Sequence, residues 1–109
     1  MPRYVLAYTK KSKKLEVGKV ITYDRDGVVG IFHRRAPLTE KLEPGMLVIA
    51  KIISPKSRDR NFYILYPVEI LEGDKIPEKY NKNIVIWGRP AYKELRRRRM
   101  RARAEREAG

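Results

Sequence analysis

The chain has 109 residues, which is enough for one small domain and a short extension. It carries 26 Lys and Arg against 13 Asp and Glu, for a formal net charge of +13, and this balance favours a polyanionic partner such as a nucleic acid. There is no cysteine, which excludes a disulfide framework and a thiolate metal site. The apolar runs are too short for a signal peptide or a membrane span, so we expect a cytoplasmic protein without membrane contact.

The positive charge is concentrated at the two ends of the chain. Residues 1–20 have a net charge of +5, residues 21–88 of +2 and residues 89–109 of +6. This distribution is typical of a folded body with nucleic-acid-binding ends, whereas a uniformly basic surface would indicate solubility alone. We therefore predict one domain at residues 1–88 and a basic helical extension at residues 89–109.

Six segments have the alternation or the β-branched and aromatic content of strands. They are residues 3–9, 17–23, 27–33, 46–54, 62–71 and 83–87. In the first, Val5 and Ala7 should face away from Tyr4, Leu6 and Tyr8. The pattern is strongest in residues 46–54, which predict a central strand, with one face formed by Met46, Val48, Ala50 and Ile52. Phe62, Ile64, Tyr66, Val68 and Ile70 are predicted to share one face of residues 62–71.

Turn signals separate these strands. Asp24-Arg-Asp-Gly27 predicts a hairpin between the second and third strands, because glycine accepts the positive φ that a short loop needs. The two aspartates also suit the start of a calcium loop, but the later acidic ligands are missing, so turn chemistry is the better interpretation. Pro67 cannot donate a ladder hydrogen bond, so its strand should bulge there or lie at an edge. We expect a basic loop at residues 10–14 and a helical turn at residues 38–42.

The C-terminal segment predicts a basic helix. Residues 92–108 consist largely of strong helix formers and follow Pro90, which the first turn of a helix tolerates. Four consecutive arginines at 96–99, spaced about 100° apart, cover most of the helix circumference. No apolar stripe is formed by Leu95, Met100, Ala102 and Ala104. We therefore expect this helix to have no protein surface to lie against.

The strand order predicts an all-β fold, a small five- to six-stranded barrel or curled sheet followed by one C-terminal basic α-helix. Residues 17–71 resemble the small RNA-binding barrels of the OB-fold and TRAM type. The likeness is carried by Val17-Gly-Lys-Val-Ile, by Asp26-Gly-Val-Val-Gly-Ile-Phe32, by Leu42-Glu-Pro-Gly-Met-Leu-Val-Ile-Ala-Lys-Ile52 and by the basic stretch that leads into Phe62-Tyr-Ile64. The resemblance implies that exposed aromatic side chains stack on bases, with Tyr8, Tyr23, Phe32 and Tyr63 as candidates. For Phe32 and Phe62 we prefer a place in the core.

The composition also resembles that of archaeal ribosomal proteins from thermophiles. Glutamine is absent and asparagine occurs only at positions 61, 81 and 83. This resemblance implies a structural protein that binds ribosomal RNA, with neighbouring ribosomal proteins as further contacts. The residues that we expect to contact phosphates are Lys10, Lys11, Lys13, Lys14, Arg34, Arg35, Lys56, Arg58, Arg60, Arg89, Lys93, Arg96, Arg97, Arg98, Arg99, Arg101, Arg103 and Arg106.

The sequence predicts neither an enzyme nor a cofactor or metal site. His33 is the single histidine, and we expect it to contact a phosphate or to pack at a strand end. A small ribonuclease built on His33 with a lysine and a tyrosine is an alternative. Two binding alternatives stay open: a chromatin-type protein that binds duplex DNA without sequence specificity, and an interaction subunit whose terminal helix docks on a protein.

Overall fold

All strands belong to one mixed sheet in a computed structural model, which describes residues 4–11, 20–23, 29–54 and 62–108. The seven strands are β1 (Tyr4–Tyr8), β2 (Lys10–Lys11), β3 (Val20–Tyr23), β4 (Val29–Phe32), β5 (Leu47–Ser54), β6 (Phe62–Leu71) and β7 (Ile84–Ile86). The helices are a 3-10 helix (Pro37–Lys41), α1 (Glu78–Asn81) and α2 (Gly88–Ala108). The strand order is β2-β3-β4-β6-β5-β1-β7, and the parallel pairs are β4 with β6 and β1 with β7.

The predicted all-β class is wrong. α2 alone has 21 residues, and it packs on the sheet, so the protein has mixed α/β content. The sheet is also not closed, because in the described part of the chain no ladder joins its two edge strands, β2 and β7. Each of the six predicted strands is nevertheless present in the described residues, and β6 has the predicted bounds. The 3-10 helix Pro37–Lys41 stands where a helical turn was predicted.

The first strand is interrupted at Thr9. Before this residue β1 pairs with β5, and after it β2 pairs with β3. The buried Thr9 hydroxyl donates to the Glu43 carbonyl at 2.6 Å and accepts from the Met46 N–H at 2.7 Å. Gly45, whose φ of +92° suits glycine, donates its N–H to the Thr9 carbonyl at 3.0 Å. The prediction of a loop is therefore wrong for Lys10–Lys11, and the rest of that predicted loop lies outside the described residues.

Two apolar clusters lie on the two faces of the central strands. Val5 and Ala7 of β1 join Phe32, Leu65 and Trp87 in the first cluster. The second cluster lies between the other face and α2, and contains Leu6, Leu47, Ile49, Leu71, Tyr80, Ala91 and Leu95. β1 and β5 are thus buried on both faces, which confirms the predicted alternation in each.

A bulge in β6 changes which side chains face the first cluster. Ile49 pairs with Glu69 whereas Ala50 pairs with Pro67, so Val68 is the extra residue. The predicted bulge at Pro67 is confirmed, and β6 is no edge strand because it lies between β4 and β5. Past the bulge, Ile70 packs on the first cluster while Val68 packs on the second, so the prediction of one shared face from Phe62 to Ile70 is wrong.

The predicted hairpin between the second and third strands is confirmed in its ladder. β3 and β4 are antiparallel, with Ile21 opposite Ile31 and Tyr23 opposite Val29. The turn itself, including the two aspartates considered as calcium ligands, lies outside the described residues.

Candidate nucleic-acid interface

α2 is anchored on the sheet by one narrow face. The helix begins at Gly88, whose φ of +85° lets the chain turn sharply away from β7. Ala91 and Leu95, four residues apart and so on one side of the helix, are 0% and 1% exposed in the second cluster. The expectation that this helix lies on no protein surface is therefore wrong for its first two turns.

Ionic contacts extend this anchoring face by another turn. The Glu94 carboxylate is only 6% exposed, accepts a 2.8 Å hydrogen bond from Arg97 and lies 3.7 Å from Arg98 Nε. Arg98 also donates to the carbonyls of Leu71 and, at 3.1 Å, of Gly73. Arg98 thus directs donors at its own fold, and its expected phosphate contact stays a prediction.

A side of α2 next to the anchoring face carries an exposed row of one tyrosine and four arginines. Residues at successive spacings of four, three, four and three lie along one side of a helix. We call this row the arginine ridge, and it consists of Tyr92, Arg96, Arg99, Arg103 and Arg106. Each member is exposed. Within the described residues the one ion pair of the ridge is Arg103 with Glu107, at 3.2 Å and with both side chains more than two-thirds exposed.

A basic groove lies between α2 and the N-terminal strands. Its cavity has a volume of about 360 Å³ and is lined by Tyr8, Lys10, Arg89, Pro90, Lys93, Glu94 and Arg97. Lys10 comes from β2 and the other three cations from α2, so the fold brings the two basic ends of the sequence together. Among the described lining residues the one acid is Glu94, which is bonded to Arg97 and lies beside Arg98, so it offers little opposition to an anion.

The remaining expected contacts are distributed elsewhere or lie outside the described residues. Arg34 and Arg35 are exposed just after β4, and Arg101 is exposed on α2 beside the Glu72–Asp74 turn. Lys11 lies in β2, and nothing is described of its side chain. The expected contacts outside the described residues are Lys13, Lys14, Lys56, Arg58 and Arg60.

The predicted stacking residues divide into exposed and buried ones. Phe32 is 2% exposed in the first cluster, and Tyr63 packs edge-on against Trp87 with ring centroids 4.9 Å apart. Both therefore belong to the core. Tyr8 is half-buried and lines the basic groove, and the side chain of Tyr23 lies outside what is described.

Sequence reasoning missed two exposed aromatic residues. Tyr92 is 54% exposed at the start of the arginine ridge, and Tyr66 is 36% exposed on β6. The signal for Tyr92 was present, since it lies four residues before Arg96 at helical spacing. Phe62, expected in the core, is only half-buried and lines a surface groove on β4 and β6.

Comparison with known proteins yields no relative. The chain matches no family model, and no curated protein or solved structure is significantly similar to it. None of the described helices is both long and apolar enough to cross a membrane. Within the described residues no group of three or more His, Cys, Asp and Glu is placed to hold a metal ion.

Proposed function

We propose that the protein is a structural RNA-binding protein that neutralises the phosphates of folded RNA with the arginine ridge and the basic groove. The supporting observation is the groove, where one cation of β2 and three of α2 line a cavity and the one carboxylate among the described lining residues is already bonded to arginine. A phosphate there would meet several donors at once, and charge-assisted hydrogen bonds to phosphate are the strong kind. Each phosphate contact would release counterions.

The RNA that we propose is ribosomal, in the cytoplasm of a thermophilic archaeon. The ridge and the groove lie on different sides of one helix, so phosphates would have to approach α2 from more than one direction. Closely packed RNA elements place phosphates on several sides of a helix that lies between them. The outside of a single duplex places phosphates on one side only. The cytoplasmic location follows from the partner.

The proposal includes a partly open barrel of the OB type. One interrupted segment, β1 and β2, pairs with β5 before Thr9 and with β3 after it. This segment thereby connects β3 and β5, the two ends of the row β3-β4-β6-β5. Such an arrangement suits the five-stranded, partly open Greek-key barrels that bind oligonucleotides. α2 would then be an addition that covers one side of this barrel.

Duplex DNA is the second candidate, and one observation favours it. Met100 is 61% exposed on α2, next to the arginine ridge. Architectural proteins insert such apolar side chains between base steps while arginines hold the backbone. Competition between structured RNA and duplex DNA of equal length separates the candidates. Preferential binding to DNA that Met100→Ala abolishes would replace RNA by DNA in the proposal.

Salt dependence tests the phosphate contacts directly. The triple variant Arg96→Ala, Arg99→Ala, Arg103→Ala removes three exposed cations that have no hydrogen bond or ion pair to the described part of the sheet. Because each phosphate contact contributes roughly 0.7 to 0.9 to the slope of log affinity against log salt, this variant should lower the slope by about 2 to 3 units. The measurement is RNA binding by fluorescence anisotropy between low and moderate salt.

A matched control keeps the change in net charge constant. Lys41, Lys75 and Lys82 are exposed cations outside α2, and replacing all three by alanine also removes three positive charges. This control should lower the slope by less than 1 unit. Equal slopes for the two triple variants would show that net charge alone attracts the RNA, and an unchanged slope in the ridge variant would remove α2 from the proposal.

A further inference from the structure

An apolar groove lies on the outer face of the parallel pair β4 and β6. Ile31 of β4 stands opposite Ile64 of β6, and both side chains are half-buried, as is Phe62. The cavity has a volume of about 440 Å³, within the usual range of small-ligand sites. α2 covers the sheet over β1 and β5, and none of these three side chains belongs to either apolar cluster. The groove is thus separate from the basic groove.

The rim of this groove is basic and rigid. Arg34 and Arg35 are exposed at its edge, and none of the described residues that line it is acidic. His33 donates its N–H to the Leu65 carbonyl at 2.8 Å, and its own carbonyl accepts from the Thr39 hydroxyl at 2.7 Å. The backbone at the start of the His33–Arg35 turn is therefore held in place before any ligand arrives, which lowers the entropic cost of binding.

The imidazole of His33 supplies one polar group at the rim. Its Nδ1 accepts a 3.1 Å hydrogen bond from the Arg35 N–H, so in the neutral ring the proton is on Nε2. The His33 ring lies 6.3 Å from the ring of Tyr66, which is 36% exposed. The His33 ring, which carries an N–H donor in its neutral form, thus lines the groove, and the Tyr66 ring lies beside it.

This combination selects a flat, apolar group joined to an anion. Ile31 of β4 lies opposite Ile64 of β6, and Phe62 is on the same face of β6, two residues before Ile64. Together these three side chains form a shallow floor on which a planar ring can stack. The arginines at the rim complement a negative charge attached to that ring. A nucleotide has both parts, and only an unpaired one exposes the face of its base, because the bases of a duplex are stacked inside.

We infer that the groove on β4 and β6 holds the base of an unpaired nucleotide, with Arg34 and Arg35 at the adjacent phosphates. This inference rests on the proposed function and adds to it a base-binding site distinct from the phosphate contacts of α2. Single-stranded loops or bulges of an RNA are then bound at the sheet while α2 contacts the folded part.

Abasic RNA tests the inference with the full-length protein. A short single-stranded oligoribonucleotide is compared with an abasic one of the same length, which has the same phosphates and no bases. Stacking of one base changes affinity by roughly 5- to 150-fold. The wild-type protein should therefore bind the abasic strand about 5- to 150-fold more weakly than the strand with bases. Phe62→Ala should remove this preference, and Arg34→Ala with Arg35→Ala should weaken binding of both strands.

A matched control and a second readout keep the test decisive. Val85→Ala truncates a 40% exposed apolar side chain on β7, outside the groove, and should retain the preference for bases. If Phe62→Ala does not fold, ultraviolet crosslinking of a 5-iodouridine oligonucleotide to the wild-type protein replaces it. Crosslinks are expected at residues 31–35 and 62–66, and crosslinks confined to α2 would overturn the inference.

The outcomes separate this inference from the proposed function. Equal affinity for both strands, with steep salt dependence retained, would refute the base site and leave the phosphate contacts standing. Absence of any RNA binding would refute both. If an acidic, aromatic peptide binds the wild-type protein but not Phe62→Ala, while oligonucleotides show no preference, the groove is a protein-docking site and the inference is wrong.

Discussion

The two halves of α2 carry the same number of arginines in different surroundings. The first half contains Arg89, Arg96, Arg97 and Arg98, and the second contains Arg99, Arg101, Arg103 and Arg106. In the first half three arginines are exposed, but Arg98 is only 19% exposed, beside a buried carboxylate and two backbone carbonyls. In the second half all four arginines are exposed. The difference shows that the groups placed opposite an arginine by the sheet, and not the residue type, decide whether it is held in the fold or exposed to solvent.

The comparison predicts that apolar truncation lowers stability strongly in the first half of α2 and hardly at all in the second. Leu95→Ala removes a side chain that is 1% exposed between α2 and the sheet, so it should lower the free energy of unfolding by about 2–5 kcal/mol. The matched truncation Met100→Ala removes a side chain that is 61% exposed and should change it by less than about 0.5 kcal/mol. Chemical denaturation measures both. Similar losses in the two variants would show that the second half of α2 also packs on protein.

The ionic part of the anchor should contribute less than the apolar part. Glu94→Gln keeps the shape of a 6% exposed side chain but removes the charge beside Arg97 and Arg98. Arg98 retains its two carbonyl acceptors and Arg97 is largely exposed, so the loss should be only about 1–3 kcal/mol in the free energy of unfolding.

The control for this variant is Glu105→Gln, which removes an exposed carboxylate from the same helix and should change stability by less than about 0.5 kcal/mol. Denaturation at neutral pH measures both. If Glu94→Gln is as stable as the wild-type protein, Arg98 is held by the carbonyls of β6 and the following turn alone, and the carboxylate is dispensable.

The halves of α2 could not be distinguished from sequence for a physical reason. Only Ala91 and Leu95 are apolar on the anchoring face, and the next contacts in that direction come from Glu94 and Arg98. In a sequence, charged residues such as Glu94 and Arg98 interrupt the apolar stripe that indicates a packed helix face. In the fold Arg98 nevertheless packs on the sheet, because the carbonyls of Leu71 and Gly73 accept its hydrogen bonds. Those partners are 27 and 25 residues away in the chain, so no local pattern reveals them.

Local patterns did predict the strands and their faces well. The alternation in β1 and β5 has a period of two and is decided by adjacent residues, so it survived in the fold. The break at Thr9 depends on hydrogen bonds to residues 43–46, and the parallel pairing of β4 with β6 joins distant segments. The same limit applies to the site: the cations were predicted, whereas the meeting of Lys10 with α2 requires the folded sheet.

The smallest expected effect is that of Glu107→Gln in the second half of α2, which should change RNA affinity but not stability. Glu107 pairs with Arg103 at 3.2 Å, but the side chains are 69% and 78% exposed, and solvent screens such a pair. Glu107→Gln should therefore leave stability nearly unchanged. Because it frees an arginine of the ridge and removes a nearby negative charge, it should raise RNA affinity about two- to threefold at low salt.

Glu105→Gln again serves as the control, since it removes the same charge from the side of α2 that faces the Glu72–Asp74 turn. Anisotropy titrations of both variants give the comparison. A larger rise for Glu107→Gln places the RNA at the arginine ridge, because only there does the removed carboxylate compete with a phosphate for Arg103. Equal rises in affinity would mean that the arginine ridge contributes only through the net charge of the protein. No rise in affinity in either variant would mean that Arg103 does not contact the RNA.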